Sequence, residues 1–156
     1  MAAVALRLVG CAMPRLIAVE LTPRDGQVAI LDATWQDYPH WESSDEWVAF
    51  KALSLIHPDH PPYPGFAVAT RGDVSRQGPH SVIVEVWCQE APTGLHEVHR
   101  SVLAVGAHGI EVGNEDSGHL TSLDISRGQY DLQVWVDGDK PDRVALVAFV
   151  LSALVP

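Results

Sequence analysis

From Leu123 to Gly138 the chain reads LDISRGQYDLQVWVDG. Tyr130, Leu132, Val134 and Val136 fall on one parity, and Asp131, Gln133, Trp135 and Asp137 on the other. That two-residue alternation predicts a half-buried antiparallel strand, entered through a tight turn at Ser126-Arg127-Gly128. The same signal recurs along the chain. Ile17, Val19 and Leu21 alternate before the turn residues Pro23-Arg24-Asp25-Gly26, and Gln27 to Thr34 resumes, which predicts an N-terminal hairpin. Phe66 to Thr70, Ser81 to Cys88, Val98 to Val105 and Ile110 to Val112 each read as strands. In the second of these Val82, Val84, Val86 and Cys88 share a face. Val144 to Val155 is apolar on both parities, as expected of a central strand covered on both sides. One shared core is expected from Val84, Val86, Leu132, Val134, Leu146 and Phe149.

The segment from Trp35 to Pro64 differs in character. It holds Trp35, Trp41 and Trp47 together with Pro39, Pro58, Pro61, Pro62 and Pro64. Ser43 and Glu46 form a capping box, and the apolar run that follows ends before Pro58. A short helix over roughly 44–56 is the expectation, with a strand as the alternative. His57-Pro58-Asp59-His60-Pro61-Pro62 is too rich in proline for regular structure. The fold class is therefore all-β: an antiparallel β-sandwich with one short α-helix.

Length adds that residues 14–156 suffice for one domain with a real core. Residues 1–13 read as a disordered or mis-assigned extension, with Met13 as the natural start. Leu8-Val9-Gly10-Cys11 matches a bacterial lipoprotein cleavage box, but the apolar run before it is only about five residues. No apolar run approaches the roughly 18 residues of a membrane span. Cys11 and Cys88 are too few for a disulfide framework and are expected to be unpaired, which suits a cytoplasmic protein.

Charge changes the picture more. Twenty acidic against ten basic residues give a net charge of −10. Such a field disfavours nucleic acid and favours a basic partner. Six acids gather on two predicted turns: Glu111, Glu115 and Asp116 on one, Asp137, Asp139 and Asp142 on the other. A sandwich collects its loops at two ends, so these turns are expected to share one negative patch. Trp87 and Trp135 lie on the polar parities of their strands, so each is either covered by the Trp35–Pro64 segment or left for a partner.

Motifs for chemistry are weak. His57-x-x-His60 has only His40 as a nearby third ligand, short of a zinc set. His96 and His99 should point to opposite faces of their strand, and His108 and His119 border loop glycines. Asp137-Gly138-Asp139-x-x-Asp142 lacks the frame of a calcium loop and reads as a type I′ Asp-Gly turn. No nucleophile elbow, nucleotide loop, catalytic set or cofactor site emerges.

From Tyr63 onward the pattern resembles the bacterial competence protein J family of nuclease inhibitors. The likeness lies in Pro64-Gly65-Phe66, in Val82-Ile83-Val84-Glu85-Val86, and above all in Ser126-Arg127-Gly128-Gln129-Tyr130-Asp131-Leu132. The resemblance implies a β-sandwich that binds a protein such as a nuclease, with no catalytic residues to carry over. The leading expectation is a non-enzymatic acidic domain that binds a basic protein. Its candidate contacts are Trp87, Trp135 and the six turn acids. The alternative is a small metal-assisted hydrolase or ligand-binding sandwich using loop histidines.

Overall fold

In the computed structural model, the structure describes residues 14–34, 41–42, 48–49, 52–53, 65–71, 80–114 and 117–154. Twelve strands lie among them: β1 (Arg15–Leu21), β2 (Gln27–Asp32), β3 (Trp41–Glu42), β4 (Val48–Ala49), β5 (Ala52–Leu53), β6 (Gly65–Ala69), β7 (Val82–Cys88), β8 (His96–Val105), β9 (Ile110–Asn114), β10 (His119–Leu123), β11 (Gly128–Val136) and β12 (Leu146–Ala153). Two sheets result, ordered β1-β7-β12-β11-β8 and β10-β9-β2-β6-β4, with β3 and β5 paired separately. The chain is an all-β sandwich. The only helical turns among the described residues are 3-10, at Arg24–Gly26 and Pro141–Arg143. Where the short helix was expected, Val48–Ala49 and Ala52–Leu53 are strand.

The core lies between the sheets. Val82, Val84, Val86 and Cys88 from β7 meet Tyr130, Leu132, Val134 and Val136 from β11 and Val147, Phe149 and Leu151 from β12. Opposite them stand Val28, Ile30, Phe66, Val68, Ile110 and Val112. Alternation predicted the β7 and β11 faces correctly. On β12 it could not decide, because both parities are apolar. Leu146 is level with Ile83 on the outer face, whereas Val147 and Phe149 face the core. Ala148 and Val150 are buried on that outer face too, so β12 is covered on both sides.

Two connections depart from the expected hairpins. β1 pairs with β7 and β2 with β6 and β9, so the turn between β1 and β2 crosses from one sheet to the other. The buried amide of Asn114 holds that corner: its Nδ2 donates to the carbonyls of Arg24 and Gln27, and its Oδ1 accepts from the N–H of Arg24 and Ser117. Between β11 and β12 the chain makes a longer excursion through Pro141–Arg143, and Gly138 lacks the positive φ that a type I′ turn requires.

The link from β7 to β8 shapes the outer face. Cys88 is level with Leu151 and Leu132, while His96 is level with Val136. The link must therefore move three strands sideways and four residues along, about 20 Å. Eight residue steps reach about 27 Å, too short for a detour around the sheet ends. With the core filling the inner face, Gln89 to Leu95 crosses the outer face over β12 and β11. Gln89 leaves the strand at φ 65°, and Ala91, Pro92 and Leu95 are half-buried along this crossing.

Candidate functional site

The outer face of the first sheet carries both strand tryptophans. Strand register sets Trp87 beside Val150 and Trp135 beside Ala148, so the two indoles flank β12 on a diagonal. Each indole lies along its own strand. Trp87 Nε1 donates to Glu85 Oε1 at 3.3 Å, and Trp135 Nε1 donates to Gln133 Oε1 at 2.9 Å. Both are half-buried. Arg15 pairs with Glu85 at 3.2 Å on one flank, and Arg100 with Glu97 at 2.9 Å on the other. The charges on this face are thus largely matched. The crossing at Gln89 to Leu95 runs over the strands between the indoles. Of the Trp35–Pro64 segment, the described strand β4 extends the second sheet through β6.

The excursion carrying Asp137, Asp139 and Asp142 lies at the same end of the sandwich as the end of β9 at Asn114. Arg71 N–H donates to the Val144 carbonyl, which joins the end of β6 to the β11–β12 excursion. Thr70 N–H donates to the Gly26 carbonyl, and Asn114 ties the β9–β10 turn to the same corner. Their roles there differ. Asp137 Oδ1 accepts from the N–H groups of Ala145 and Leu146 at 2.9 and 3.0 Å, so it holds the excursion together. Asp139 faces the Arg143 guanidinium at 3.3 Å. Asp142 is exposed in the first turn of the 3-10 segment. Glu111 stands on β9 beside Leu31, in the outer face of the second sheet. Glu115 and Asp116 lie outside the described residues. With Lys140 and Arg143 in the same excursion, the three aspartates leave a local charge of −1.

Histidines offer no metal cluster among the described residues. His40, His57 and His60 lie outside them. A bulge at Val98 cancels the expected separation of His96 and His99: both now fall on the parity of Val134 and Val136. His99 packs on Phe66 across the sandwich, ring centroids 5.5 Å apart, and desolvation by this burial lowers its pKa despite nearby Glu97. His96, at the strand's start, is exposed.

Cys88 corrects the cysteine expectation, because it is disulfide-bonded. The chain's other cysteine, Cys11, lies outside the described residues. Sequence reading also missed two buried carboxylates, Asp32 and Glu85. Asp32 ends its strand and Glu85 sits on a polar parity, so neither breaks the local pattern. Arg127 was read only as a turn residue.

Two sheets of this order, packed over one core and closed by turns at both ends, make a β-sandwich. The fold is similar to that of ComJ, inhibitor of the DNA degrading activity of NucA, from Bacillus subtilis, at a TM-score of 0.56 and 12% identity. The match covers 92% of this chain and 100% of ComJ. No protein-family profile matches the chain, and no curated protein does.

Proposed function

We propose that this protein is a non-enzymatic partner of a basic protein, an inhibitor or immunity-type domain whose target is a nuclease. The carrying observation is the full-length fold likeness to ComJ, itself a nuclease inhibitor. A net charge of −10 agrees with a cationic target, since nucleases present positive surfaces to phosphate. Within this reading the acidic end steers association, and Trp135 near that end, with Trp87 farther along the same face, supplies apolar area. The protein needs no cofactor for such a task.

The test is direct. Purified protein is titrated into a panel of basic nucleases from the source organism, reading DNA degradation and binding in parallel. Stoichiometric inhibition of one of them, with an association rate that falls as salt rises from about 0.05 to 0.5 M, is expected. Nuclease activity intrinsic to the protein, or metal-dependent hydrolysis abolished by a chelator, would favour the histidine-based alternative instead.

A further inference from the structure

The end of the sandwich opposite the acidic turns holds a cleft of about 570 Å³, lined in part by Ala104, Ala107, His108, Arg127 and Gln129. Its two walls are fixed before anything enters. Asp32 Oδ1 accepts from the Gly106 N–H at 2.7 Å, and Oδ2 accepts from the Thr34 N–H and hydroxyl, which pins the β8–β9 turn. That turn is seated on the end of β10: Gly109 has φ +78°, and a Cβ there would come within 2.4 Å of the Leu123 carbonyl. The other wall is pinned by the Tyr130 hydroxyl, which donates to the Ser126 carbonyl.

At the rim Arg127 is exposed, and among the described residues no carboxylate pairs with it, as is also true of Arg24 and Arg71 elsewhere; Arg15, Arg100 and Arg143 each face a carboxylate. The planar fork of Arg127 fits the paired oxygens of a carboxylate or phosphate. Gln129 and His108 add donors beside it, and Ala104 and Ala107 offer apolar wall. The Asp32 charge is engaged by three internal hydrogen bonds, so it is not presented to the opening. The volume lies in the range of small-molecule sites.

We propose that this cleft is an anion site for a small carboxylate- or phosphate-bearing molecule, gripped by Arg127. It stands independently of the nuclease-inhibitor reading, since it uses the other end of the molecule.

Inorganic phosphate and citrate, each titrated into isotopically labelled protein at constant ionic strength, test it by amide NMR shifts. Saturable shifts confined to Gly106, His108, Gly128 and Gln129 are expected, with a Kd on the order of millimolar. The better-bound probe identifies the head group. Arg127→Gln should weaken binding about tenfold or more, and Arg127→Lys, which keeps charge but loses the fork, should fall between. Arg24→Gln, at the opposite end, should change nothing. Shifts that never saturate, that scatter over the surface, or that persist in Arg127→Gln would overturn the proposal.

Discussion

The Asp32 carboxylate accepts a 2.7 Å hydrogen bond from the backbone N–H of Gly106, 74 residues away in sequence. The bond joins the last residue of β2, in one sheet, to the residue after β8, in the other. Asp32 is also buried, so its charge is stable only because three donors surround it.

Removing that carboxylate should therefore be costly. Asp32→Ala strands a buried N–H and loses charge-assisted bonds, which predicts a loss of roughly 2–4 kcal/mol in urea denaturation. Asp32→Asn cannot satisfy both sides, because its amide nitrogen would meet the Thr34 N–H. It too should destabilise. If Asp32→Ala left the midpoint unchanged, the joint between the two sheets would not depend on this carboxylate.

Core substitutions should separate the two parities of β12. Phe149→Ala should cost about 3–5 kcal/mol, and Leu146→Ala under about 1, since Leu146 is half-buried on the outer face. Equal thermal shifts for the two would contradict the strand register.

That contrast shows where the sequence was legible. Strands with one polar face, β7 and β11, declare their core side through alternation alone. β12 does not, because the Gln89–Leu95 crossing covers its second face and makes Ala148 and Val150 as apolar as Phe149. Pairing partners were equally hidden. The turn between β1 and β2 has hairpin residues, yet only long-range register shows that it changes sheets. The apolar run near Trp47 satisfies both periods, and pairing of β4 with β6 decided for strand. At the candidate site, acid positions could be read, but not that Asp137 is spent on backbone N–H groups.

Acid should weaken the fold through His99. Burial against Phe66 lowers its folded pKa below the ordinary histidine value of about 6.5, so the unfolded chain binds the proton more readily. Stability is then complete above about pH 6.5 and falls as pH drops toward the lower folded value. His99→Leu should remove that component from a plot of denaturation midpoint against pH between about 7 and 5. An unaltered slope would place the effect on other groups.

Cys88 predicts a covalent link. Non-reducing digestion should recover the Cys88 peptide cross-linked, and reduction should release it. Reduction should lower the melting temperature, as loss of a cross-link frees the unfolded chain. A free thiol at Cys88 in protein purified from its native source would instead fit a reducing compartment.

The last prediction separates the acids of the β11–β12 excursion. Asp137 holds two backbone N–H groups, and replacing it by asparagine keeps the acceptor while removing its charge. Charged acceptors bind roughly twice as strongly as neutral ones, so Asp137→Asn should lower stability by about 1 kcal/mol. Asp142 makes no such bonds and is exposed; Asp142→Asn should leave the melting temperature within error. Asp139 faces Arg143 on the open surface, an arrangement that adds little stability. For partner binding the order reverses. If the acidic end steers a basic protein, Asp139→Asn with Asp142→Asn should slow association at about 0.05 M salt, and the slowing should vanish near 0.5 M. Dissociation should change little, because rim charges act mainly on encounter. An association rate indifferent to both salt and this pair would remove the steering role from this end and leave Trp87 and Trp135 as the contacts to mutate next.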